Sequence, residues 1–320
     1  MLARLLAFLA AACVSAASLA QTYPSKPVRI IATNSPGGGV DLVARLVAQS
    51  LSEQIGQSVF VENRSGAGGA IGASAFSKAD PDGYTLLACA NAEITVLPHL
   101  LQNLRYDPLH DFLPLVLAAA APAVLVVHPD LPVNNVMELL ALAKAKGGIE
   151  YGTPGPGTPQ HIAFELLRTE TGIPLTHVPY KGGSPATADL VAGQLRVALI
   201  NMPPIMAHIR AGRLKALAVV QSERSNLLPN VPTFKQATGI NITDAPSWYG
   251  FMAPAQTPPE IISRLESAIL KALAEPGVRA RLGDAGLDPL ALPSKGFSAR
   301  IREESAAMES SIKRIGLKLQ

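Results

Sequence analysis

The side chains best able to do chemistry in this 320-residue sequence are scattered. Its six histidines stand at 99, 110, 128, 161, 177 and 208, and no two have the short spacing of a metal site. There is no Gly-x-Ser-x-Gly elbow and no Gly-Lys-Ser/Thr phosphate loop, so neither an activated serine nor a bound nucleotide is indicated. Glu62 and Glu93 have the chemistry of an acid/base pair, but nothing in the sequence places them together. His161 differs from the other histidines in following a glycine-rich loop, a position suited to lining a pocket. No metal and no cofactor is expected.

What remains is backbone chemistry. Residues 28–45 read Val-Arg-Ile-Ile-Ala-Thr-Asn-Ser-Pro-Gly-Gly-Gly-Val-Asp-Leu-Val-Ala-Arg. Val28, Ile30, Ile31 and Ala32 suit a buried parallel strand, and Leu42, Val43, Leu46 and Val47 repeat at helical spacing. Gly37, Gly38 and Gly39 join the two. A helix opening straight after such a loop presents unpaired N–H groups and the positive end of its dipole, which together form an anion-binding device. The plainer reading is a tight strand-to-helix turn with no ligand. A dinucleotide fingerprint fits poorly, because Leu42 stands where the third glycine would open the helix.

Two later stretches repeat the theme. Gly66, Gly68, Gly69 and Gly72 look like a nucleotide loop, but the acids that follow, Asp80 and Asp82, fall in a Pro-Asp-Gly turn and not at a strand end. A close helix-to-sheet contact fits those glycines better. The run 149–161 is again a strand, a glycine-rich loop and a helix start, with Thr158 as N-cap and Pro159 as the first helical residue. Two such loops in two halves of a molecule can face one ligand.

The elements that must position these loops alternate along the chain. Strands are expected near 58–63, 84–90, 115–127, 175–180, 194–200, 214–220 and 248–254. Helices are expected near 66–78, 135–146, 162–171, 186–191, 259–274, 277–285 and 298–315, the last amphipathic. Alternation of this kind predicts an α/β fold in two domains, each a mixed, mostly parallel sheet flanked by helices. Asn91 and Glu93 follow the third strand, at the carboxyl edge where open α/β sheets hold ligands.

Residues 1–20 carry a single charge, Arg4, then an apolar run and the small residues Ser18-Leu19-Ala20, the pattern of a cleaved secretory signal. A lipoprotein signal at Cys13 fits less well, since Ala10-Ala11-Ala12 makes a poor lipobox. Cleavage leaves about 300 residues, enough for two domains of ordinary size. It also leaves Cys89 as the single cysteine, which excludes an intrachain disulfide and reads as a buried small hydrophobe. The net charge of +3 with dispersed Lys and Arg argues against nucleic acid. The mature protein is expected to be a soluble monomer outside the cytoplasmic membrane.

Taken in order, the segments Tyr23-Pro24-Ser25-Lys26-Pro27, Pro36-Gly37-Gly38-Gly39-Val40-Asp41, Val61-Glu62-Asn63-Arg64, Pro81-Asp82-Gly83-Tyr84-Thr85, His177-Val178-Pro179-Tyr180-Lys181-Gly182, Leu228-Pro229-Asn230-Val231-Pro232-Thr233 and Trp248-Tyr249-Gly250 resemble the Bug-type solute receptors of tripartite tricarboxylate transport. The resemblance implies a two-domain periplasmic binding protein of type II-like fold with hinge crossovers, domain 1 being 21–122 plus 242–320 and domain 2 being 123–241. It implies a small carboxylate held in the interdomain cleft for uptake or sensing, and a membrane permease of the tripartite tricarboxylate type as partner.

By position, the ligand would be faced by the loops 35–41 and 91–94 on domain 1, with Ser35, Gly37, Gly38, Gly39, Asp41, Asn91 and Glu93 foremost, and by 153–161, 180–184 and 200–201 on domain 2, with Thr153, Gly157, Thr158, His161, Tyr180 and Asn201 foremost. The family often has Phe-Asp-Asn where this chain has Leu199-Ile200-Asn201, so a ligand without an ammonium group is expected beside Ile200. The competing reading is an exported small-molecule hydrolase using the same cleft; it needs a nucleophile with its base, or a metal cluster.

Overall fold

The structure, a computed structural model, describes residues 23–242 and 247–318. The expected signal segment 1–20 lies outside the described residues, as do 243–246, where the return crossover is expected.

The chain opens with β1 (Val28–Ala32), α1 (Gly39–Ile55), β2 (Val59–Asn63), α2 (Ala70–Phe76), β3 (Thr85–Ala90), a π turn over Ala92–Val96, α3 (Leu97–Leu100) and β4 (Phe112–Ala121). It continues through β5 (Ala123–Val127), α4 (Val136–Ala145), β6 (Ile149–Thr153), α5 (Pro159–Thr171), β7 (Leu175–Pro179), α6 (Gly183–Val191), β8 (Val197–Asn201), α7 (Met202–Arg210), β9 (Lys215–Val220) and α8 (Phe234–Thr238). The last stretch holds β10 (Ser247–Pro254), α9 (Pro259–Ala274), α10 (Pro276–Asp284), β11 (Asp288–Pro293) and α11 (Ser294–Ile315).

Two sheets result, ordered β11-β4-β10-β3-β1-β2 and β7-β6-β8-β5-β9. In the first, β1, β2 and β3 run parallel and β10 runs against them, inserted between β3 and β4. In the second, β6, β7 and β8 run parallel and β5 runs against both its neighbours, β8 and β9. Each sheet is thus mixed, with one reversed strand in its interior. Pro122 alone separates β4 of the first sheet from β5 of the second, and its carbonyl accepts the N–H of Met202 at 3.1 Å.

Burial explains why these segments take these forms. β1 is covered on both faces, which is why it reads as a continuous apolar run. Above it, α1 buries Val40, Val43, Val47 and Leu51, and packs against α9, whose stripe is Leu265, Ile269, Ala272 and Leu273. Each such aliphatic side chain contributes roughly 1.5–3 kcal/mol when fully buried. On the other face, α11 buries Phe297 and Ile301 beside Trp248, Leu87 and the free Cys89. The second sheet has its own cores around Tyr151 and Phe164, and around Val124, Ile200 and Ile205.

Several boundaries differ from the expectations. β11 is an additional strand, an edge strand in which Pro289 and Pro293 are tolerated because one side of the ladder is open. α6 begins at Gly183 and not at 186, and α7 begins at once after β8 with Pro203 and Pro204 in its first turn. α11 starts at Ser294, ahead of the expected 298. The glycines at 66–72 form the expected close contact: a Cβ on Gly72 would stand 3.0 Å from Thr33 Cα.

Candidate functional site

The carboxyl ends of β1 and β3 in one sheet face those of β6 and β8 in the other. Four helices begin at this junction: α1 after Gly38, α5 after Thr158, α6 after Gly182 and α7 after Asn201. Three of them, α1, α6 and α7, lack a side-chain cap on their first-turn N–H groups. Between the four lies a cavity of about 30 Å³. The first sheet and its loops supply Gly38, Gly39, Gly68, Glu93, Ser247 and Tyr249 to its wall. The second supplies Thr158, Gln160, Gly183, Ile200, Asn201 and Pro204. No Arg or Lys lines it among the described residues. The groups of its wall that favour an anion are therefore the N–H groups and dipoles of the helices that begin there.

The first glycine loop is braced from within. Gly37, at φ +76°, donates its N–H to Asp41 Oδ2 at 2.9 Å, and Gly38 donates to the Ser35 carbonyl at 3.2 Å. Asp41 also accepts from Asn63 at 2.8 Å and pairs with Arg45. Burial raises the pKa of Asp41, but the bonds from Arg45, Gly37 and Asn63 outweigh it and hold the carboxyl below its ordinary value. Gly39 must lack a side chain because a Cβ there would stand 2.3 Å from the Tyr249 ring.

The second loop is braced by histidines. Gly157 donates its N–H to His161 Nδ1 at 3.1 Å, and the His161 ring stacks on His177 with centroids 4.0 Å apart. His177 Nε2 meets Thr153 Oγ1 at 2.7 Å. Burial pushes both imidazoles toward the neutral form, His177 to about 3, with His161 adding to the effect there. Thr158 caps α5 as expected, accepting the N–H of His161 and donating its hydroxyl to the Gly155 carbonyl at 2.8 Å.

The two halves touch on every side of the cavity. Asn201 Nδ2 donates to Tyr249 Oη at 2.7 Å, and Gln160 donates both to Asn201 Oδ1 and to Ser247. A Cβ on Gly182 would meet Ser35 Oγ at 2.3 Å, and one on Gly68 the Pro156 carbonyl at 2.4 Å. This is a closed cleft.

Of the thirteen residues expected at the ligand, Gly38, Gly39, Glu93, Thr158 and Asn201 line the cavity. The others stand behind or beside it. The N–H groups of Gly37, Gly38 and Gly157 already have acceptors, Asp41 and His161 in the helices that follow and the Ser35 carbonyl in the loop, so Gly39 is the glycine here with its N–H uncommitted. The hydroxyl of Thr153 is bound to its own loop and to His177, and Tyr180 Oη donates to Asp189 at 2.8 Å. Asn91 donates to Glu304 at 2.9 Å, and Ser35 faces Gly182. The His161 ring turns into the second core and not into the cavity, because Gly157 and His177 hold both its edge and its face. Gln160 and Gly183 also line the cavity, within the loops 153–161 and 180–184 expected to face the ligand, whereas Ser247 and Tyr249 lie outside the expected loops; a tyrosine in an otherwise apolar strand is the signal the sequence carries for them.

Residues 43–317 match the model of the tripartite tricarboxylate transporter family receptor. The chain belongs to this family. It is similar to BugT of Bordetella pertussis, 36% identical over 98% of this chain and 96% of that one. Among solved structures it is similar to Rpa4515 of Rhodopseudomonas palustris with adipate, at a TM-score of 0.88 and 32% identity over 92% of this chain and 99% of that one. MatC of the same organism with bound malate gives a TM-score of 0.85 and 28% identity over 91% and 100% of the two chains. The family consists of periplasmic solute-binding receptors, so this protein is a receptor and not an enzyme. Among the described residues no three His, Cys, Asp or Glu are grouped so as to hold a metal ion.

Proposed function

We propose that the protein captures a small mono- or dicarboxylate between its two sheets and closes on it. The observation that carries this reading is the convergence of four helix starts, with Gly39 and Gly183 bare, on one cavity without a basic side chain. Such a site stabilises negative charge by dipoles and backbone N–H groups, each charged hydrogen bond contributing about 1.5–3 kcal/mol. Relatives with adipate and with malate support the same class. Ile200 and Pro204 form an apolar wall that suits a short chain or ring and offers no counter-ion to an ammonium.

Domain 1 is then 21–122 plus 242–320 and domain 2 is 123–241. Sheet membership supports the division, since β10 and β11 join β1–β4 while β5–β9 form the other sheet. Residues 1–20 act as the export signal, the mature receptor is a monomer, and its partner is a tripartite tricarboxylate permease. A thermal-shift panel of succinate, malate, adipate, citrate, benzoate and nicotinate against aspartate and glutamate tests the reading. Stabilisation by a carboxylate recovered unchanged is the expected result, since selective binding to the native state raises Tm. Absence of any shift, or preference for either amino acid, would overturn it.

A further inference from the structure

We infer that Glu93 meets the bound carboxylate as an uncharged carboxylic acid, donating a hydrogen bond from Oε2, so that capture of the ligand is coupled to uptake of a proton. The inference rests on the carboxylate reading above. Glu93 is completely buried in the π turn that follows β3, and its side chain forms part of the cavity wall. Oε1 accepts the N–H of Ala90 at 2.9 Å, which assigns that oxygen as the acceptor and leaves the proton to Oε2. Oε2 is fully shielded from solvent and makes no hydrogen bond of good geometry; the Thr33 hydroxyl, which likewise makes none, lies close enough to the carboxyl to favour its ionised form in part. Gly69, at φ +102°, lies against the same carboxyl, where a Cβ would come within 2.6 Å of it, so backbone closes that side. A buried oxygen without a well-placed partner, on a side chain that lines the cavity, calls for one, and a bound carboxylate is the partner the cavity can supply.

Its surroundings offer no cation. On β3 and the loop beyond stand Cys89 and Tyr106, the latter donating to the Glu93 carbonyl at 2.8 Å; on β10 stands Tyr249, whose hydroxyl is bonded to Asn201. On α1, Asp41 and Arg45 are bound to each other. On α11, Glu304 accepts from Asn91, Thr95 and Trp248 and pairs with Arg300. On α5, His161 is engaged by Gly157 and stacked on His177. Burial therefore dominates and lifts the pKa of Glu93 to about 7, against which the Thr33 hydroxyl and the Ala90 N–H work only in part. A second carboxylate entering this space raises it further, because two like charges in a closed cavity are not both retained. The acid–carboxylate bond that forms instead is of the short, charge-assisted kind. The proton comes from solvent, the ligand keeps its charge, and no bond other than hydrogen bonds is made or broken. An ionised Glu93 would instead select an ammonium, and affinity would then rise with pH.

The test is calorimetric titration of the mature chain with succinate, malate and adipate from pH 6 to 9, in paired buffers of different ionisation enthalpy. Proton uptake should climb toward one per ligand by about pH 8, with affinity falling roughly tenfold per pH unit above 7. Glu93→Gln, whose amide keeps a donor at the same place, should still bind and should lose both dependences. Binding of a dicarboxylate with no proton uptake in the unaltered protein overturns the inference and leaves the receptor reading standing. So does a Glu93→Gln protein that keeps the pH slope. If none of the three acids binds while aspartate or glutamate binds more tightly as pH rises, both fail together.

Discussion

Tyr249 Oη of the first sheet accepts a hydrogen bond from Asn201 Nδ2 of the second at 2.7 Å, joining the two halves directly behind the cavity. Tyr249 is buried among the core residues of its own sheet, so its hydroxyl depends on Asn201 for a partner. Because the pair spans the two halves, opening of the cleft is expected to break it. Tyr249→Phe removes the acceptor while keeping the ring that packs on Gly39. With a net hydrogen bond contributing about 1 kcal/mol, affinity should fall roughly fivefold by titration calorimetry. Small-angle scattering of the liganded variant should show a larger fraction of open molecules, and an unchanged affinity would count against the latch.

Thr158 has two jobs in the closed structure, capping α5 and tying the loop through Gly155. Thr158→Ala should therefore lower stability as well as binding. Loss of the cap costs about 1 kcal/mol, which for a chain of this size lowers Tm by about 2–4 °C. Affinity should drop at least threefold, because the loop that brings Pro154 and residue 158 to the cavity wall is no longer fixed. A variant with native Tm and native Kd would place Thr158 outside both roles.

The histidine stack predicts acid sensitivity. Burial holds His161 and His177 neutral in the folded protein, with the pKa of each below its ordinary value. For a depressed histidine the stabilisation is complete above the unfolded pKa and is lost as pH falls below it, here from about 6.5 downward toward 3. The urea midpoint should fall between pH 7 and 4, and His177→Gln, which keeps a partner for Thr153, should flatten that fall. A variant with the same pH profile as the unaltered chain would assign the acid sensitivity elsewhere.

What the sequence disclosed of this site was its local part. Both strand–glycine–helix units were legible because their signals, apolar runs, glycines and the Thr158-Pro159 cap, lie within a few residues of one another. The joining contacts were not. Asn201 and Tyr249 are 48 residues apart, Gln160 and Ser247 87, and no periodicity encodes such a meeting. The N–H groups of Gly37 and Gly157 looked available for the same reason: their acceptors, Asp41 and His161, are side chains one helical turn ahead whose direction is fixed by Asn63 and His177 on other strands. Glu93 was placed at the right sheet edge, but its burial depends on Gly69 and Tyr249 and could not be read locally.

The last prediction concerns what burial of Glu93 does to the unliganded protein. Its folded pKa is raised by burial from 4.5 to about 7, so the fold prefers the protonated acid. Below pH 4.5 both folded and unfolded chains carry the proton and nothing is lost. Between about 4.5 and 7 the unfolded chain ionises first, and stability declines through that window before levelling off above it. Each pKa unit corresponds to about 1.4 kcal/mol, which bounds the decline at a few kcal/mol once relaxation and water entry are allowed for. Glu93→Gln removes the charge and keeps an oxygen to accept the Ala90 N–H, so it should equal the unaltered protein at pH 4.5 and exceed it at pH 8. Urea denaturation of the two proteins at those pH values, without ligand, makes the comparison. The histidine stack lies in the other half and titrates alike in both, so the difference between the two curves isolates Glu93. A Gln variant that is less stable than the unaltered chain at pH 8 would mean that the carboxylate is ionised and satisfied in the folded protein.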